Sequence, residues 1–283
     1  MRYISGMKSK CQVKSILYFS LFTLSFFTSS VAAQDTENYG AIWTEVGVTK
    51  VLPYDLSIDA GVGFRTLDWF EDANRVDASI GLEYKLGKNF KFGLSYTFIE
   101  RHYWDRPKAH YNDAGLFNGY NIDEAHWMPR HRVSFDVTAD KRFWKTLRIS
   151  LRERYQFTHQ GSRDVARVKQ RDPSFDSDGN ITGFDEEETT VKHKEAWNRH
   201  LLRSRLKFAI DKKGWNWEPF VSVETHNNMG DSWHLDKIRT AAGTEYSLSK
   251  QHKLSAAYVF THENDDDGNE NIHAISIGYK FKF

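Results

Sequence analysis

The chain has 283 residues, with 39 lysines and arginines against 38 aspartates and glutamates, 15% aromatic residues and one cysteine. That balance offers no basic excess for nucleic acid, and a mean hydropathy of −0.64 without any run of 18 apolar residues excludes a helical membrane protein. Neither fact excludes a barrel, in which every second residue faces inward and can be polar.

Residues 1–33 carry Arg2, Lys8, Lys10 and Lys14, then an apolar run from Ile16 to Phe27, and close on small residues at Val31 and Ala33. This is the layout of a cleaved secretory signal peptide; the run is too short for a spanning helix. The expected mature domain is 34–283. Loss of the leader removes Cys11 and four of the 39 basic residues, leaving 35 against 38 acidic ones. A cysteine-free exported chain has neither disulfides nor thiolate metal sites, and nothing else in the sequence implies a cofactor.

The remainder alternates with period two. Leu56, Ile58, Ala60, Val62 and Phe64 are interleaved with polar or small residues, and Val76–Leu86 and Phe90–Phe98 follow the same rule. It returns at Val133–Ala139, Leu147–Phe157, Leu202–Ile210, Ile238–Leu248, Leu254–Phe260 and Ile275–Phe283, with weaker versions at Trp43–Val51 and Trp217–Thr225. Runs of about ten residues suit a tilted strand that crosses a bilayer. Short connections at 52–55, 87–89, 142–145, 211–216 and 249–252 alternate with longer polar segments, chiefly 99–131 and 159–199. Short turns at one end and long loops at the other are the arrangement of an outer-membrane barrel. Tryptophans fall near both ends, Trp69, Trp104, Trp127, Trp197 and Trp233 on the long-loop side and Trp144, Trp215 and Trp217 on the short-turn side. That distribution predicts two aromatic girdles.

The last strand resembles the C-terminal strand of Gram-negative outer-membrane proteins, with Ser276, Gly278, Phe281 and Phe283 at the polar, glycine and aromatic positions. The resemblance implies recognition by the barrel assembly machinery. Ile275, Ile277, Tyr279, Phe281 and Phe283 form one apolar stripe, and Gly278 leaves room for a neighbouring side chain. With Trp43 and Glu45 in an early strand and short turns of the L-G-K type, the chain also resembles a family of uncharacterised outer-membrane proteins grouped as a domain of unknown function. The family brings no catalytic residues. The expected fold is therefore all-β, an antiparallel transmembrane β-barrel of about 10–12 strands in the cell outer membrane. It would have short periplasmic turns, long extracellular loops, and outer-membrane lipid and lipopolysaccharide as neighbours. Eleven strands can be counted, whereas two periplasmic termini require an even number. Either a strand is missed, or two weak segments are not strands, or an N-terminal segment threads the lumen.

Inward positions carry many charges. Arg148, Arg152 and Arg154 on one strand and Arg203, Arg205 and Lys207 on the next would share a wall, with Asp136 and Asp140 on the preceding strand. Either they form an electropositive track for an anionic solute, or the carboxylates neutralise them and the lumen is a salt-bridged core. The first reading makes a narrow channel for small anions, the second a structural or surface-binding barrel. A third reading, a lipid-modifying hydrolase, rests on outward-facing Glu153, His200 and Ser204, since ionisable groups facing lipid are costly and usually functional. Register would bring Glu153 to Ser204. His200 and Ser204, however, lie four residues apart on one strand, about 13 Å, too far for a base and its nucleophile, so an enzyme is the weaker expectation. Asp176–Glu187 has carboxylates at three calcium-loop positions but Ile181 where the turn glycine belongs. It reads better as a projecting hairpin tip, and Asn264–Glu270 as a solvated turn.

Overall fold

A computed structural model describes residues 37–230, 233–265 and 268–283; the expected signal peptide lies outside the described residues. Eleven strands close a barrel. In chain order they are β1 (Glu37–Val51), β2 (Leu56–Leu67), β3 (Asp72–Leu86), β4 (Phe90–Tyr103), β7 (His126–Phe143) and β8 (Leu147–Gln160). They continue with β11 (Trp197–Ile210), β12 (Trp217–Asn228), β13 (His234–Ser247), β14 (His252–Asp265) and β15 (Gly268–Lys282). Four more, β5 (Arg106–Tyr111), β6 (Phe117–Asp123), β9 (Arg163–Phe175) and β10 (Ile181–Lys194), form a separate sheet in the order β10-β9-β6-β5. The fold is all-β, as the alternation predicts, and among the described residues no helix is long and apolar enough to cross a membrane.

The five short connections fall where the sequence places them. Two have consecutive non-glycine residues in the left-handed region, Tyr54 and Asp55 between β1 and β2, and Trp144 and Lys145 between β7 and β8. That backbone twist matches the twist of the strands it joins. At the other end, the long segments 99–131 and 159–199 are not irregular loops. Each extends its barrel strands and folds a hairpin, and β6 pairs with β9 to join the two hairpins into one sheet. Alternation there is broken by Pro107, Pro173 and a run of acidic residues, which hid the strands. The turn Asp176–Asn180 is the hairpin tip expected from its composition: the Asp176 carboxylate accepts the backbone N–H groups of Asp178 (2.9 Å) and Asn180 (2.8 Å).

The parity argument is corrected by the seam. β1 pairs with β15 in parallel, from Glu37 opposite Glu270 to Thr49 opposite Lys282, so an odd number of strands closes without a missing strand, a false strand or a threaded segment. Physically, an unpaired strand edge is what a barrel must avoid, and a parallel pair satisfies both edges as well as an antiparallel one. Like residues meet along the seam: Asn38 faces Asn271 and accepts its side-chain N–H (3.1 Å), and Ala41 faces Ala274. Ala41, Ala274 and Val259 make a small buried interior cluster.

The exterior is apolar and uncovered: Ile80, Leu94, Val221 and Ile277 are each more than half exposed. The stripe Ile275–Phe283 belongs to it, while Ser276 and Gly278 face inward. A Cβ at Gly278 would collide with the Ser255 hydroxyl, which is the close approach expected there. Two tryptophans depart from the girdle reading. Trp104 and Trp197 line the interior near the loop end, whereas Trp144, Trp215 and Trp217 are exposed at the short-turn end.

Candidate functional site

The predicted wall of cations exists. Antiparallel pairing of β8 and β11 puts Arg154 opposite Arg203 and Arg152 opposite Arg205. Most of these charges are compensated. Glu224 on β12, 4% exposed, accepts from Arg152 (2.8 Å), Arg203 and His226 (2.9 Å), with Arg239 at 3.8 Å. Arg154 pairs with Asp136, Lys207 with Glu245 (2.5 Å), and Arg148 with Glu218 and Asp211. Asp140 takes part in no ion pair among the described residues and lines the cavity nearer the turns. The salt-bridged reading therefore describes five of the six named cations, and Arg205 is the exception.

The uncompensated charge lies closer to the loop end, on strands partly hidden inside the segment 99–131. A cavity of about 550 Å³ there is lined by twelve arginines and lysines against five carboxylates. Six of its eleven arginines have a carboxylate within 4.0 Å, and several of the others are held by neutral partners. Arg65 and Arg239 both lie over the ring of Trp43, at 4.6 and 4.8 Å from its centroid. Arg130 donates its Nε–H to Gln160 (2.8 Å) and rests against the rings of Tyr103 and Trp197. Arg132 donates to the Thr158 hydroxyl (3.0 Å), and Arg101 lies over Tyr103. Among the described residues, Arg65, Arg101, Arg130, Arg132 and Arg205 have no carboxylate within 4.0 Å. Arg65, Arg132, Arg203 and Arg239 are near enough to repel one another. Among the described residues, the buried Nε–H groups of Arg101, Arg152 and Arg203 find no acceptor, and such donors are rare without a ligand or water to meet them.

A second cavity of about 460 Å³ lies toward the turns and is nearly balanced, seven cations against five carboxylates. Glu45, Arg152, Arg154 and Arg205 line both cavities and form the waist between them. Arg65 continues the alternation of Leu56–Phe64, whereas Arg101, Arg130 and Arg132 were missed. The signal was present as period two through Met128, Arg130, Arg132 and Ser134, all facing inward.

On the outside, Ser204 donates to Glu153 (2.6 Å), as register predicted, but His200 is bound elsewhere: its Nδ1 is 2.7 Å from the hydroxyl of Tyr155. The serine has a carboxylate and no imidazole, so the hydrolase arrangement is not assembled. Among the described residues no cluster of three or more His, Cys, Asp and Glu side chains is placed to hold a metal ion.

A family model described as a protein of unknown function (DUF2490) matches residues 40–272. The chain belongs to that family. The DUF2490 match begins in β1 and ends in β15, so it takes in every strand of the barrel and the outer sheet. No curated protein matches the chain.

Proposed function

We propose that this DUF2490 protein is an integral outer-membrane barrel that admits small anionic solutes from its long-loop end through a narrow pore. The observation that carries the reading is the set of interior arginines held by Trp43, Tyr103, Gln160 and Thr158 rather than by carboxylates. Neutral partners fix the guanidinium groups in place and leave their charge available, which is how a rigid anion site avoids reorganisation on binding. The membrane half rests on the exposed apolar exterior, the turn asymmetry and the C-terminal strand, for which the barrel assembly machinery is the expected partner.

The test is the reversal potential of the refolded mature chain in a planar bilayer under a potassium chloride gradient. Wild type should reverse toward the chloride potential, and Arg65→Ser, Arg132→Ser and Arg205→Ser combined should bring it toward zero. A barrel shown to be folded by its heat-dependent gel shift but passing no current would overturn the passage. A current unmoved by the three substitutions would overturn the arginines as its filter.

A further inference from the structure

Four times on the barrel exterior, a Tyr-x-Phe pair on one strand closes around a histidine on the neighbouring strand. Tyr96 and Phe98 of β4 hold His131 of β7, and Tyr155 and Phe157 of β8 hold His200 of β11. Tyr258 and Phe260 of β14 hold His273 of β15, and Tyr279 and Phe281 of β15 hold His252 of β14. In every unit the phenylalanine is the direct cross-strand partner of the histidine. The tyrosine oxygen lies 2.6 to 2.7 Å from Nδ1. Four copies of one cross-strand arrangement on three strand pairs, two of them at opposite ends of β14–β15, are not explained by the interior.

Three units stand toward the loop end and the fourth toward the turn end. From His273 to Phe281, β15 advances eight residues, about 26 Å along the strand and about 20 Å in height at the usual barrel tilt. The exterior residues between these levels are Ile275, Ile277 and Tyr279, with Leu254, Ala256 and Tyr258 on β14, the two tyrosines being those of the units themselves. An apolar band of that height, bounded above and below by the same aromatic–histidine unit, matches the ~25 Å band of outer-membrane barrels.

Where the tyrosine O–H donates to Nδ1, the ring proton sits on Nε2, and among the described residues Nε2 of His131, His200, His252 and His273 has no partner. Each unit thus offers one fixed N–H donor at the edge of the apolar band. We propose that the four units are docking sites for anionic phosphate headgroups of lipids, in preference to zwitterionic ones, a proposal that rests on the membrane reading above. Their surroundings suit phosphate unequally: Glu100 shares the exterior of β4 two residues beyond Phe98, whereas His200 and His273 have Asn198 and Asn271 as exterior neighbours. The His131 unit is therefore the weakest of the four.

The mature chain is folded into phosphatidylcholine vesicles containing one part in ten of phosphatidic acid, and the lipid retained after mild detergent extraction is counted by native mass spectrometry. Wild type should retain phosphatidic acid enriched about threefold or more, the gain from one net hydrogen bond per site. His131→Gln, His200→Gln and His273→Gln combined should lose most of that enrichment, and His252→Gln alone the smaller remainder. Folding of each variant is checked by the gel shift. Wild type without enrichment, or a triple variant that keeps it, overturns the headgroup sites. Protein that fails to float with the vesicles overturns the membrane reading itself, so the two failures are told apart.

Discussion

Glu224→Gln is the most informative single change in the interior. The carboxylate is the acceptor shared by Arg152, Arg203 and His226, and it is the nearest carboxylate to Arg239, at 3.8 Å. Among the described residues, none of the three arginines has another carboxylate within ion-pair distance. Two unit charges 4 Å apart attract by ~4 kcal/mol at an effective dielectric constant of ~20, so the gross attraction from two close arginines is ~8 kcal/mol. Desolvation of the ions cancels part of it. Breaking a buried pair by removing one partner costs about 3–5 kcal/mol, because the remaining charge is stranded. Glutamine keeps the volume and one acceptor, so the loss reports charge rather than packing. Urea unfolding in lipid vesicles, followed by tryptophan fluorescence and the gel shift, should show a loss in that range. Arg203→Met added to Glu224→Gln should recover part of it, since it removes one stranded cation. A Glu224→Gln barrel within 1 kcal/mol of wild type, or a double variant weaker than the single one, would refute the hub.

Gly243→Ala should destabilise more than Gly278→Ala. A Cβ at Gly243 would meet the Ala257 Cβ and Cα at 2.5 and 2.6 Å, beside the Ala256 carbonyl, whereas at Gly278 it meets the Ser255 hydroxyl, which can rotate away. Overpacking of this kind costs about 1–3 kcal/mol, and equal urea midpoints for the two variants would contradict it. Lys145→Gly should stabilise the barrel by about 1 kcal/mol, because Lys145 holds φ at 62° in the three-residue connection 144–146; an unchanged or lowered midpoint would count against that turn. In the outer sheet, burial raises the Asp123 carboxyl, but hydrogen bonds from Arg167 and Lys194 outweigh it and hold it at about 2. A lowered value means its stabilisation is complete above the ordinary aspartate range near ~3.9 and is lost as pH falls through about 2. Hydrogen exchange of β6 and β9, corrected for intrinsic rate, should therefore quicken between pH 4.5 and 2.5, and Asp123→Asn should be quick at both.

Barrel strands were legible wherever one face is apolar without interruption. Val76–Leu86 and Ile275–Phe283 read with the correct face and to within a residue at their C-terminal ends, although β3 and β15 begin four and seven residues earlier; face is fixed because a one-residue slip would turn every side chain to the wrong side. The opposition of Arg154 to Arg203 and of Glu153 to Ser204 followed from the same constraint. The outer sheet was illegible because both its faces are polar and proline interrupts it, so period two carries no hydrophobic contrast there. The parallel seam was illegible for another reason: closure joins the two most distant strands, and no local turn records their direction. The site was legible only in part. Arg152 and Arg203 are conspicuous in sequence, yet the structure neutralises them through Glu224, while the uncompensated Arg130 and Arg132 were hidden at the edge of a segment that looked like a loop. Sequence shows where charges alternate and not which of them find partners.

The most direct test of the account is to locate an anion in the basin. Crystals of the refolded barrel soaked in sodium bromide, measured at the bromine edge, would show where anions settle. The account predicts anomalous density inside the barrel among Arg65, Arg130, Arg132 and Arg205, weakened by Arg132→Ser. Bromide confined to exterior lysines, with an empty basin in a well-ordered barrel, would contradict it.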